Sequence, residues 1–95
     1  MKNNSDDYTG VANTFNNIAT IYLQTNNFDS AKYFVHLAIK EAKSEMAYPI
    51  LKESYIIHSK LSEKQNLLSE ALYYQKLGNQ LADSLSSAEN TIVLS

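Results

Sequence analysis

The stretch Phe15–Tyr22 (FNNIATIY) is followed, nine residues after its last member, by Ala31–Val35 (AKYFV). In the first stretch a large residue, an aliphatic residue, an alanine and a tyrosine follow one another at helical spacing. In the second, a large aromatic comes three residues after an alanine. Spacings of three and four residues place side chains on one helix face. The two stretches therefore predict an amphipathic helical hairpin in which alanines allow close approach.

The same reasoning along the whole chain predicts four helices, at about 8–24, 28–44, 47–64 and 67–85. Polar pairs or a loss of pattern separate them, at Asn26-Asn27, Glu45-Met46 and Gln65-Asn66. We expect Asn26 to adopt a left-handed turn conformation and Asn27 to cap the second helix. Pro49 fits the first turn of the third helix, where a missing N–H costs nothing. Gly78 lies inside the fourth helix, which indicates close approach of a neighbour.

The two predicted hairpins share one internal register, offset by 40 residues (71 − 31). Large residues recur at Phe15 and Tyr55 and at Phe34 and Tyr74. Small residues recur at equivalent positions in both hairpins: Ala19 and Ser59, Ala31 and Ala71, Ala38 and Gly78. This agreement indicates a repeated unit rather than two unrelated hairpins.

The first hairpin resembles the tetratricopeptide repeat, a family of helix–turn–helix units. The second departs from the family pattern at His58, Ser62 and Gln75, and the 40-residue step exceeds the usual 34. Long, Tyr-rich units ending in a segment like 81–85 are similar to the tetratricopeptide regions of Bacteroidetes sensor kinases and regulators. The resemblance implies an all-α fold, with two antiparallel hairpins stacked as a short right-handed solenoid. The expected divisions are a flexible N-terminus at 1–7, repeats at 8–44 and 45–87, and at 88–95 a tail or further helix.

Composition excludes several classes of function. The chain has 95 residues with a net charge of −2, and its eight basic residues are all lysines. Because arginine is the residue best suited to bidentate phosphate and base contacts, its absence argues against nucleic-acid binding. With no cysteine there is no disulfide or thiolate chemistry. No apolar run reaches membrane-span length and no signal peptide is visible, so we expect a cytoplasmic protein without membrane contact, unless the chain belongs to a longer one.

The resemblance implies a concave face lined by the first helix of each hairpin. The positions that this register assigns to the face are Asn13, Asn16, Asn17, Thr20, Gln24, Glu53, Ile56, Ile57, Lys60 and Lys64. Asn side chains can bond to an extended peptide backbone through both a donor and an acceptor. These residues are therefore candidate peptide-binding residues. The alternatives are a solvated polar face, or burial of Ile56 and Ile57 under a neighbouring helix or second chain.

No catalytic residue, metal site or cofactor is expected. His36 falls on a face predicted to be exposed and His58 at a packing position, and neither has a serine or carboxylate spaced for a triad or metal site. The leading expectation is a non-enzymatic protein- or peptide-binding module of bacterial signalling. The alternative is a structural dimerisation domain. Because two repeats leave open hydrophobic faces, a homo-oligomer or additional repeats in a parent chain are expected.

Overall fold

The computed structural model describes the backbone of residues 3–94 and the side chains of residues 10–84. The fold is all-α and the described backbone contains no strand. Its helices are α1 (Asn3–Gln24), α2 (Phe28–Ser44), α3 (Tyr48–Lys64) and α4 (Leu68–Leu94). The offset of 40 residues relates two pairs of these bounds, since α2 begins at Phe28 and α4 at Leu68, and α1 ends at Gln24 and α3 at Lys64. The register found in the sequence is therefore also the register of the helices.

Two predicted boundaries differ from the structure. Helix α1 begins at Asn3, so residues 3–7 of the predicted flexible N-terminus are helical; Met1 and Lys2 lie outside the described residues. Helix α4 runs without interruption to Leu94, so the predicted tail is a continuation of α4 rather than a separate element; Ser95 is outside the description.

The three turns between helices have one geometry, repeated every 20 residues. Asn26, Met46 and Asn66 adopt the left-handed conformation, with φ of 65°, 56° and 64°. After each of them, the next N–H bonds to the carbonyl five residues earlier over 2.8 Å, the pattern of a Schellman motif. The prediction for Asn26 is confirmed. Asn27 does not cap α2 with its side chain, which instead donates to Thr25 Oγ1 over 2.8 Å.

Helix α3 lies at the centre of the packing. Helix α1 packs on α2 and α3 packs on α4, which fits a hairpin arrangement, and α3 also contacts α1 and α2. One apolar cluster joins α1 and α2 to Ile57 and Leu61 of α3. A second includes Ala12, Ala42 and Leu51. The hydrophobic core therefore lies mainly where α3 rests on the first hairpin.

Small residues allow this close packing, as expected. Gly78 of α4 is buried against α3, where an added Cβ would meet Ile56 Cγ1 and Tyr55 Cβ at 3.6 Å. That is ordinary contact distance, so the site accepts a methyl group. Its equivalent in α2, Ala38, is fully buried with a methyl group in place.

Across the described helices, none combines the length and apolar character needed to cross a membrane.

Candidate functional site

The predicted concave-face residues fall mostly on the surface of α1 and α3. Six of them are exposed: Asn13, Asn17, Gln24, Glu53, Lys60 and Lys64. Thr20 and Ile56 are half-buried, and the Thr20 hydroxyl donates to the Asn16 carbonyl oxygen over 2.9 Å. Ile56 and Lys60 also line a shallow depression of about 250 Å³ together with residues of α4.

Two of the predicted residues lie in the interior and cannot form a surface site. The Ser54 hydroxyl donates to Asn16 Oδ1 over 2.7 Å, and Asn16 Nδ2 donates to the Ile50 carbonyl oxygen over 3.4 Å. The Asn16 side chain therefore joins α1 to α3. Ile57 is buried in the cluster that holds α3 on the first hairpin. Both are buried because α3 lies across α1 and α2. The spacing of apolar residues within each helix does not predict how the helices pack on one another.

One stripe of α3 forms this contact with the first hairpin, and all of its members are buried: Leu51, Ser54, Ile57 and Leu61. Forty residues earlier, α1 carries the equivalent stripe, here called the α1 face: Val11, Thr14, Asn17 and Ile21. All four residues of the α1 face are exposed. Leu61 is 1% exposed whereas Ile21 is 57% exposed, and Leu51 is 4% exposed whereas Val11 is 44% exposed. The α1 face is thus half of an interhelical contact, and no described residue covers it.

The surface on which α3 rests, here called the seat, is apolar: Ala12, Ala19, Leu23, Ala31, Val35 and Ala42. The equivalent positions of the second hairpin are far more polar: Lys52, Ser59, Glu63, Ala71, Gln75 and Ala82. Burying a lysine or glutamate against Val11 or Ile21 without a partner would be costly. The second hairpin therefore does not offer the α1 face of another copy the seat that α3 uses.

A polar cluster around His58 joins α2, α3 and α4. His58 and His36 face each other with their Nε2 atoms 3.0 Å apart. On its other side, His58 Nδ1 lies 3.4 Å from the Ser62 hydroxyl. The ring of Tyr74 stacks on that of His58 with centroids 3.8 Å apart, and Glu70 Oε2 lies 3.9 Å from His58 Nε2. The cluster therefore connects the two hairpins at one point.

Burial lowers the pKa of His58 below its ordinary value of 6.5. The neighbouring His36 and Lys32 lower this pKa further, while a backbone hydrogen bond and Glu70 oppose the shift. A neutral His58 suits the geometry, since its Nδ1–H can donate a hydrogen bond to the Ser62 hydroxyl while its Nε2 accepts a hydrogen bond from the Nε2–H of His36. A second proton on His58 would bring two N–H groups into opposition.

The side chains at the centre of the cluster are closed to solvent, since His58 and Ser62 are each 1% exposed. Within residues 10–84, no three His, Asp or Glu side chains are placed to hold a metal ion. The sequence does not predict the His36–His58 contact, because the two residues lie on different helices. The contact with Ser62 had a local signal, since Ser62 follows His58 by one helical turn.

Comparison with known proteins adds no family to these observations: the chain matches no protein-family model, no curated protein and no solved structure.

Proposed function

We propose that this chain is a non-enzymatic, tetratricopeptide-type module that binds another protein through the α1 face. The observation that carries the proposal is the contrast between two equivalent stripes. The stripe on α3 is buried on an apolar seat, and the stripe on α1 is exposed to solvent. Full burial of an isoleucine or valine is worth about 1.5–3 kcal/mol relative to full exposure, and about half of this remains to be gained at Ile21 and Val11, which are 57% and 44% exposed. A partner that supplies a seat of small apolar residues would obtain this stabilisation.

The two-hairpin register and the packing of α3 on the first hairpin support stacking as a short right-handed solenoid. In such a stack, α1 would meet the partner as α3 meets the first hairpin. The partner is then a helical hairpin or an amphipathic helix, supplied by a separate protein or by further repeats of a parent chain. A bacterial signalling or regulatory protein is the setting that the sequence resemblance favours.

A peptide groove on the concave side remains part of the proposal, with a smaller set of residues. Asn13, Gln24, Glu53, Lys60 and Lys64 are exposed and able to contact a peptide. Asn17 belongs to the α1 face by its register. Alanine substitution at Gln24 and Lys64 would reduce peptide binding if the groove is used, and would leave binding unchanged if only the α1 face is used.

Self-association is the second candidate function, because the same exposed side chains could be covered by another copy. Head-to-tail stacking is disfavoured by Lys52, Glu63 and Gln75, which stand where the apolar seat has Ala12, Leu23 and Val35. A symmetric dimer through two α1 faces would avoid this conflict.

Light scattering over a dilution series separates the two candidates. A chain that remains monomeric at high micromolar concentration and binds helical peptides supports the partner-binding proposal. A dimer that dissociates on dilution, and that Ile21→Lys abolishes, would replace it with self-association. A monomer that binds no peptide would contradict both.

A further inference from the structure

A groove between α2 and α4 offers a second type of binding site. The two helices do not pack directly on each other within the described residues, and α3 lies beneath the gap between them. The resulting cavity has a volume of about 520 Å³, within the range of pockets that hold small organic ligands. It lies on a part of the surface that does not include the α1 face.

The lining of this groove combines rings and cations. Tyr55, Tyr73 and Tyr74 contribute aromatic surface, and Ile39 and Leu77 contribute aliphatic surface. The basic side chains of the lining come entirely from α2: His36, Lys40 and Lys43. Among residues 10–84, no carboxylate lines the cavity.

The two lysines of the groove have no ionic partner among the described side chains. Neither Lys40 nor Lys43 forms an ion pair with any carboxylate whose side chain the structure describes. At the His58 end of the groove, Glu70 Oε2 lies 3.9 Å from His58 Nε2.

We propose that the groove binds a small aromatic anion, with its ring among the tyrosines and its anionic group beside Lys40 and Lys43. Aromatic side chains favour stacked or edge-to-face contact with a flat ring. Lysine ammonium groups are point charges that attract a carboxylate, sulfonate or phosphate without requiring bidentate geometry. A neutral aromatic compound would contact the tyrosines but leave the lysines without an anion. An aliphatic anion would pair with the lysines but would not stack on the tyrosines.

Two fluorescent probes separate the contribution of the aromatic ring to binding from that of the negative charge. The first is 8-anilinonaphthalene-1-sulfonate, which has an aromatic ring system and one negative charge; the second is N-phenyl-1-naphthylamine, which has the same ring system without the charge. We expect the sulfonate to bind the whole chain at one saturable site. The substitution Lys40→Gln with Lys43→Gln should weaken its binding about tenfold, as expected for a loss of about 1.4 kcal/mol. The uncharged amine should be insensitive to that substitution.

Two further variants locate the site. Lys52→Gln with Lys76→Gln makes the same change in net charge outside the groove lining and should leave sulfonate binding within twofold of the unmodified chain. Tyr73→Ala should weaken both probes, since it removes an exposed ring from the groove wall. Equal effects of the two lysine pairs would overturn the proposal, because binding would then follow net charge alone. An unchanged affinity in Lys40→Gln with Lys43→Gln, or in Tyr73→Ala, would overturn it as well.

Discussion

The Nε2 atoms of His36 and His58 lie 3.0 Å apart, and together the two rings link α2 to α3. A hydrogen bond at this distance requires one N–H and one lone pair. His36 is exposed, whereas His58 is buried between Tyr74 and Ser62. The contact is therefore compatible with a neutral His58 and is opposed by protonation of both rings.

Stability is expected to fall on acidification, and His58 should cause part of that fall. Burial lowers the pKa of His58 in the folded state from its ordinary 6.5. Below pH 6.5, down to the lowered value, the unfolded chain binds more protons than the folded chain, so the free energy of unfolding decreases as pH falls through this window. Urea unfolding at pH 7.5 and pH 5.5 should show the decrease.

Two substitutions identify the group responsible. His58→Gln should reduce the difference in unfolding free energy between the two pH values. His36→Gln should retain most of it, because burial is the largest cause of the His58 shift. An identical pH dependence in His58→Gln and the unmodified chain would show that His58 is not the titrating group.

Asn16→Ala should destabilise the fold by about 1 kcal/mol, the usual net contribution of a hydrogen bond, because the Ser54 hydroxyl can still donate to the Ile50 carbonyl oxygen 3.1 Å away. Asn16 accepts from Ser54 across the α1–α3 contact. Its neighbour Asn17 is exposed and provides a matched control, for which we expect a change within about 0.5 kcal/mol. Chemical denaturation of both variants would measure the difference, and equal effects would argue against a structural role for the Asn16 amide.

Gly78→Ala should stabilise the protein by about 0.5–1 kcal/mol. Alanine has the higher helix propensity, and the new Cβ would sit 3.6 Å from its neighbours without displacing them. The reverse change at the equivalent position, Ala38→Gly, should cost about 1 kcal/mol or more. A lower thermal midpoint for Gly78→Ala would contradict this account, because it would mean that α3 lies too close to α4 to accept a methyl group at position 78.

Met46→Asn should also stabilise the chain, by a fraction of the roughly 1–2 kcal/mol that the left-handed conformation costs an ordinary residue. Met46 has φ of 56°, a conformation that asparagine adopts at lower cost than methionine. The side chain is 70% exposed, so little apolar contact would be lost. The adjacent Glu45 has φ of −91° and serves as a control, because Glu45→Asn has no left-handed strain to relieve. If differential scanning calorimetry gives both variants the same midpoint, strain at Met46 is not the cause.

Local structure was largely predictable from the sequence, because it depends on short-range pattern. The spacing of apolar residues predicted α2 at 28–44, and Asn26 was expected in the left-handed conformation that it adopts. Burial of Ile57 under a neighbouring helix was one of the alternatives that the sequence left open, whereas the burial of Asn16 was not predicted. In the sequence, Asn16 is indistinguishable from a polar residue on a solvated helix face, because its hydrogen bond with Ser54 depends on the packing of α3 on α1.

The histidine cluster was missed for a related reason. His36 and His58 come from different helices, so their contact depends on how α3 rests on the first hairpin. The repeat register did contain usable information about the interface. The burial of Leu61 in α3 indicates what the equivalent Ile21 in α1 would contact if a partner were present.

The central claim is that the α1 face is a protein-binding surface, and a displayed library of amphipathic helical peptides tests it directly. Peptides selected on the unmodified chain should bind Ile21→Lys at least about tenfold more weakly. They should bind Leu72→Lys equally well, because Leu72 is an exposed leucine of α4 outside the α1 face. Selected peptides that bind Ile21→Lys as tightly as the unmodified chain, or a selection that yields no binder, would contradict the claim.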